Sequence, residues 1–254
     1  MGFMERPYLL KLSRSERMIL AIILKKGPIS QAAIASECNL RQQSVSRIMA
    51  ALSNQGLIES NKKISHGKRG QSSSAFELTA SFTYSLGVAI MTDTLSFSIV
   101  DFAGKQIASE IVPIESNTPS NVLALVKEKL QLFETQGLVN PCRICGVGVA
   151  MSGYYVEEEG YFNTPPSMPE WAFVNVASLF SDALNLPAWA DNDGNTAAIG
   201  EALTGVGRSA NSFAYLYLSS GFGGGIIQDG KLLRGRLGNA GEFAGILPLS
   251  LIHI

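Results

Sequence analysis

Two short stretches of this chain carry residue types that could do chemistry. Asp191-Asn-Asp-Gly-Asn195 stands where an apolar strand pattern at 186–190 gives way to a helical one. Open α/β sheets bind ligands at that kind of junction. A carboxylate there can accept hydrogen bonds from hydroxyl groups, or act as a general base toward one. The second stretch is Ser219-Ser-Gly-Phe-Gly-Gly-Gly225, whose bare N–H groups could cradle a phosphate. Each has a plainer alternative: an Asp-rich helix start is also a cap, and a glycine-rich turn is also a tight hairpin. A third motif, Cys142-Arg-Ile-Cys145, has no second cysteine pair, and the histidines are His66 and His253 alone. It reads as two small, partly buried apolar residues rather than a metal or redox site.

The elements that position these groups lie in two regions of opposite charge. Residues 1–80 hold twelve Lys/Arg against five Asp/Glu, and the remaining 174 hold eight against sixteen. A near-neutral total thus joins a basic head of +7 to an acidic body of −8. A small helical domain of that positive sign is matched to a polyanion, with DNA the default. No run of 18 apolar residues exists, residues 1–7 are short and polar, and three cysteines are too few for a disulfide framework. The sequence therefore reads as cytoplasmic, without export signal or membrane span.

In the basic head, three helical patterns follow one another. The first covers residues 13–26, with Ile19, Ile22 and Ile23 on one face, and Gly27-Pro28 stops it. Ser30 suits the N-cap of a short second helix holding Ala33, Ile34 and Cys38. The third covers residues 41–54, with Val45, Ile48, Met49 and Leu52 turned inward. Two strands, 57–62 and 75–78, then flank a basic loop. This is the layout of a winged helix-turn-helix, in which the third helix enters the major groove. Gln42, Gln43, Ser44, Ser46 and Arg47 are the expected readers of base edges and phosphates. Lys62, Lys63, His66, Lys68 and Arg69 form the wing, which can lie along the backbone or reach into the minor groove. No acidic residue occurs between Glu37 and Glu59 to repel phosphate.

From residue 81 the pattern changes to α/β. Strands are expected at 84–91, 95–101, 106–113, 144–151, 186–190, 213–218 and 225–228. Helices are expected at 120–136, with Val122, Leu125, Val126, Leu130 and Phe133 inward, at 173–184, and from 191 to about 205.

The order of these pieces resembles the ROK family of repressors, open reading frames and sugar kinases. The resemblance rests on A-D-N-D-G-N-T-A-A (190–198), G-F-G-G-G (221–225) and G-N-A-G-E-F (238–243) placed behind a winged helix, and it covers residues 10 to 247. It implies an α+β two-domain chain: a winged helix-turn-helix over 1–80, then an actin-like (ribonuclease H-like) α/β domain of ATPase type over 81–254. The family's catalytic aspartate falls on Asp193, with Asn192 before it; Glu242 matches a glutamate that holds ring hydroxyls; Ser167 stands where the family places a sugar-binding asparagine. Gly221, Gly223 and Gly224 are the remnant of a phosphate loop.

The departures separate regulator from kinase. The kinases' first phosphate loop, D-x-G-G-T, reads Ala89-Ile-Met-Thr-Asp93 here. Side chains stand where phosphate must approach backbone, and Asp93 adds a repelling charge. The positioning that phosphoryl transfer depends on is thereby lost. The family's histidine after the glutamate is replaced by Ala244-Gly245, and its cysteine-rich zinc loop is absent from this chain, so no cofactor or metal is expected. The domain reads as truncated at its C-terminus. The resemblance therefore implies a bacterial transcriptional regulator, in the first place a repressor, without catalytic activity. It would bind a double-stranded operator as a homodimer or higher homo-oligomer, and sense a sugar or sugar phosphate through Ser167, Asn192, Asp193 and Glu242. The alternatives are a sugar kinase of the family, and a DNA-binding protein whose second domain serves only assembly.

Overall fold

A computed structural model describes residues 10–64, 73–156, 161–218 and 221–243. In the basic head, α1 (Arg14–Lys26) is opened by a capping box. The Ser13 hydroxyl accepts from the Glu16 N–H while the Glu16 carboxylate accepts from the Ser13 N–H. After β1 (Ile29–Ser30), α2 (Gln31–Cys38) is capped by Ser30 and ends on Asn39 in the left-handed region (φ 51°). Then comes α3 (Gln42–Asn54). Ile19, Ile23, Ile34, Val45, Met49 and Leu52 are buried together. The strands β2 (Ile58–Ile64) and β3 (Ser73–Leu78) pair antiparallel, and β1 adds to the far edge of β3 in the order β1-β3-β2. The fold class expected from the sequence is the one found.

Along the second region, β4 (Tyr84–Ile90), β5 (Thr94–Asp101) and β6 (Gln106–Pro113) form two successive hairpins. A crossover through α4 (Pro119–Thr135) brings β7 (Ile144–Met151) parallel to β4. A small hairpin, β8 (Tyr154–Val156) with β9 (Tyr161–Asn163), follows. A second crossover through α5 (Val176–Leu184) adds β10 (Ala188–Asn192) parallel to β7, completing the sheet order β10-β7-β4-β5-β6. Leu86, Val88 and Ile90 of β4 alternate inward against Val122, Val126 and Phe133 of α4, and β7 is buried on both faces. Phe173, expected inside a helix, instead sits exposed with φ 58°, and α5 starts three residues later under an Asn175 cap. Cys142 is exposed, not partly buried as expected, and Cys145 is half-buried.

Next, α6 (Asp193–Thr204) packs on a second sheet of β11 (Phe213–Leu218), β12 (Phe222–Gln228) and β13 (Lys231–Leu232). Here glycine is a packing requirement. A Cβ on Gly194 would come within 2.7 Å of the Gly224 nitrogen, and one on Gly225 within 2.6 Å of the Ala198 Cβ. The helix thus rests directly on the strand backbone.

Several contacts join the basic head to this region. The rings of Phe82 and Phe102 lie 5.3 Å apart beside the head's core. The Arg208 Nε donates to the Lys25 carbonyl at the end of α1 (3.2 Å), and the Lys25 Nζ donates to Asn211 Oδ1 (2.7 Å). Between them sits Gly104 (φ 82°) of the β5–β6 turn, whose Cβ position is 3.2 Å from a methyl of Leu24 in α1 and 3.2 Å from the methyl of Thr204 in α6. No described helix is long and apolar enough to cross a membrane.

The glycine packing makes a sharp forecast. A Cβ on Gly224 would collide with the Tyr215 carbonyl and the Phe243 ring, whereas one on Gly223 meets nothing within 4 Å. Gly224→Ala should lower stability in urea unfolding by about 1–3 kcal/mol, and Gly223→Ala by less than ~0.5 kcal/mol. Equal effects would show that the close approach of strand and loop is not what these glycines serve.

Candidate functional site

A cavity of about 400 Å³ opens at the C-terminal ends of β7 and β10, between the β8–β9 hairpin and β12. Its polar lining comes from Ser152, Asn163, Asn192, Asp193 and Glu242, with Tyr154 and Tyr217 at its sides. The parallel strands β7 and β10 end side by side, Asn192 opposite Met151. The turn after each strand therefore faces the same space.

Each residue at the strand-to-helix junction has a distinct task. Asn192 is the N-cap of α6: its Oδ1 accepts from the N–H groups of Gly194 (2.8 Å) and Asn195 (3.2 Å). Its Nδ2 donates to the Gly153 carbonyl (2.7 Å). Asp193, at the first helical position, accepts from the Ser152 hydroxyl through Oδ2 (2.7 Å) and from the Gly194 N–H through Oδ1. The amino end of a helix dipole favours its negative charge. Asp191 points away into the structure. Its Oδ1 accepts from Asn195 Nδ2 (3.0 Å) and its Oδ2 from Arg234 Nη2 (2.6 Å). Tyr155 lies beside this ion pair, its hydroxyl donating to the Ala190 carbonyl (2.8 Å). Burial first, and the Asp191 charge second, push that phenol up to about 12. The Asp191 hydrogen bond raises the Arg234 guanidinium further above its ordinary value. Thus Arg234, far along the chain, pins the segment that leads to Glu242.

Glu242 lies at the exposed rim of the cavity, across from Asp193. Desolvation and then the Asp193 charge push its carboxyl above the ordinary glutamate value. Two carboxylates that feel each other across one space can accept hydrogen bonds from several hydroxyls of one ligand.

Of the residues expected to hold a sugar, Asp193, Glu242 and Asn192 meet at this cavity, the last of them as a helix cap. Ser167 stands apart: it is exposed, outside the lining, with its Oγ 3.2 Å from Thr92 Oγ1. Asn163, two strand positions beyond Tyr161, supplies the amide that lines the cavity instead. Gly221 and Gly223 line it too, but Gly224 is consumed in the contact with Gly194. The turn expected to stand in place of the kinases' first phosphate loop is tied down. Asn117 Nδ2 donates to the Met91 carbonyl, Asp93 accepts through its carbonyl from Ile114, and none of residues 91–93 lines the cavity.

On the head, Gln42, Gln43, Ser46 and Arg47 of α3 are exposed on one side and Ser44 is half-buried. Arg41, before the first turn, makes no side-chain cap and is exposed. Lys62 and Lys63 belong to β2; His66, Lys68 and Arg69 lie outside the described residues. Among the described residues no three His, Cys, Asp or Glu side chains cluster as metal ligands would.

Comparison with known proteins agrees with both halves of this geometry. Residues 10–69 match the MarR family and residues 85–248 the ROK family. The xylose repressor of Bacillus spizizenii is 28% identical over 229 residues, covering 90% of this chain and 59% of the repressor. The chain thus spans less than two thirds of the length of that relative. The glucokinase of Streptomyces coelicolor is 30% identical over 155 residues, 58% of this chain and 48% of the enzyme. Among solved structures, a ROK family transcriptional regulator homologous to the Escherichia coli MLC protein superposes with a TM-score of 0.69 at 22% identity, over 90% of this chain and 57% of that one. A ROK glucokinase from Streptomyces griseus, in complex with glucose and AMPPNP, gives 0.54 at 26% identity over 63% of this chain and 49% of that one. With the ROK match running over more than half of its residues, the chain belongs to the ROK family.

Proposed function

We propose that this chain acts as a DNA-binding transcriptional repressor of carbohydrate metabolism, released or engaged by a sugar or sugar phosphate in the Asp193–Glu242 cavity. The observation that carries the reading is the pairing of two sites in one chain. A winged helix presents an exposed, acid-free recognition helix, and an α/β body presents a carboxylate-lined cavity. Its relatedness to xylose repressors over both regions supports the same reading. The partner would be duplex operator DNA, read by a homodimer, since winged helices commonly address two half-sites. Sugar phosphorylation is the second reading, favoured by Asp193 and by the glucokinase relative. Against it stands the turn at 91–93, fastened by Asn117, in which the resemblance puts Met91, Thr92 and Asp93 where the kinases have the glycines and threonine of their phosphate loop.

The two sites are joined by α6. Its first turn lines the cavity, the helix is about 18 Å long, and it packs against α1 of the winged helix. A shift of α6 on ligand binding would be felt at Arg208 and Lys25. Coupling between such sites is a differential binding energy, typically 5- to 150-fold in affinity, or roughly 1–3 kcal/mol.

Three measurements test the reading. In gel shifts on the native promoter region, Arg47→Ala should weaken binding by about 1–3 kcal/mol if it reads a base. A salt slope shallower by about one unit is expected if it holds a phosphate instead. Unchanged affinity for Arg47→Ala and Gln43→Ala together would remove α3 from the interface.

Arg208→Ala should leave sugar affinity and DNA affinity each within about twofold while reducing the effect of sugar on DNA binding. Undiminished coupling would exclude the Arg208–Lys25 contact as its route.

Sugar affinity should fall on acidification as Glu242 takes up its proton, at a pH above the ordinary glutamate range. Asp193→Asn removes one cause of the raised value, so the titration of Glu242, followed by carboxyl NMR, should move down. The folded state holds this proton more tightly than the unfolded chain, so stability declines as pH rises from the ordinary value through the raised one.

A further inference from the structure

The cavity has one wall that accepts hydrogen bonds and another that can donate them. Ionised Asp193 and Glu242 only accept. A sugar hydroxyl can give its proton to them, but its lone pairs and the ring oxygen then need donors. Each acceptor buried without one costs about 1–3 kcal/mol. Several polar groups of the lining are already engaged within the protein. The Ser152 hydroxyl donates to Asp193, the Thr164 hydroxyl to the Met168 carbonyl (2.7 Å), and Asn192 is fixed as the cap of α6.

The β8–β9 hairpin supplies what the carboxylates lack. Tyr154 and Asn163 face each other directly across its ladder, and Asn163 Nδ2 donates to the Tyr154 hydroxyl. A phenol that accepts this bond keeps its own proton for another partner, and the amide keeps a second N–H and its oxygen. Tyr154 is 46% exposed, and it lies against the cavity. The hairpin closes this near because Gly153 has no side chain. With φ 139°, a Cβ there would come within 2.8 Å of the Asn163 carbonyl oxygen. Among the described residues no lysine or arginine lines the cavity. An ester phosphate would meet two carboxylates and no counter-charge.

We propose that Tyr154 and Asn163 are specificity determinants of this cavity, reading the acceptor atoms of an uncharged monosaccharide. The tyrosine ring covers an apolar face of the sugar, and its hydroxyl, together with the Asn163 amide, meets the ring oxygen and hydroxyl lone pairs. This rests on the effector reading above and narrows it from sugars and sugar phosphates to sugars that carry no phosphate.

Isothermal titration of the whole chain with D-xylose, D-glucose and D-glucose 6-phosphate tests it. The wild-type protein should bind at least one free sugar, and the phosphate ester at least about a hundredfold more weakly than D-glucose. Tyr154→Phe, which keeps the ring and deletes only the O–H, and Asn163→Ala should each weaken the bound sugar about tenfold or more and change the xylose-to-glucose ratio. Gel-shift affinity for the promoter, measured on the same variants, should stay at the wild-type value and certifies that they fold. Wild-type protein that binds a sugar while both folded variants stay within twofold overturns the inference alone, as does tighter binding of the phosphate. Wild-type protein that binds none of the three overturns the effector reading together with it.

Discussion

Where β10 becomes α6 the chain leaves the amino end of a helix with N–H groups that have no partner inside it. Asn192 answers this with one side chain. Its oxygen takes two of those N–H groups and its nitrogen reaches the Gly153 carbonyl beyond β7. The ends of two parallel strands and the start of a helix are thus locked by a single amide. Asp193 is aimed into the cavity as a result, and Ser152, just before Gly153, is held where it can donate to it. Next to this, the Asp191–Arg234 pair fixes the returning segment that carries Glu242. Asp191 is largely buried, but the Arg234 side chain stays about half exposed, so solvent screens the pair and its Coulomb energy is modest. The pair therefore acts on geometry more than on net stability.

The same helix explains why the second sheet is so rich in glycine. To bring the first turn of α6 over the cavity, the helix must sit on the backbone of β12, and Gly194, Gly224 and Gly225 remove the side chains that would hold it off. The glycine-rich stretch is therefore split between two uses. Gly221 and Gly223 leave open space beside the cavity, while their neighbours are filled by contact. A phosphate cradle and a packing surface look alike in a string of glycines, and only the partner backbone tells them apart.

Much of the fold was legible because periodicity is strong where a helix buries one face. The stripes of α1 and α3 fell on Ile19, Ile23, Val45, Met49 and Leu52, and the opposite side of α3 is exposed at Gln42, Gln43, Ser46 and Arg47. The short hairpin β8–β9 was not foreseen, since three-residue strands carry too little alternation to register. The strand β10 runs on through Asp191 and Asn192, where the polar side chains serve the junction and hide the strand pattern. Phe173 looked helical but took a left-handed backbone that sequence pattern does not disclose. At the cavity, the family resemblance pointed to Asp193 and Glu242, which lie on its motifs. It missed Asn163, Tyr154 and Arg234, whose roles depend on which distant segments the sheet brings together. Ser167 shows the converse: a position matched by the family resemblance lies outside the lining, beside Thr92.

The tip of the β5–β6 turn, at Gly104, has a mechanical consequence. A methyl of Leu24 in α1 and the methyl of Thr204 in α6 flank it on either side, and dispersion contacts with methyls have no preferred direction. Such a bearing lets the two helices roll against each other by small angles at little energetic cost. The directional contacts made by Arg208 and Lys25 then act as a latch, so that whether head and body swing together is decided at that edge.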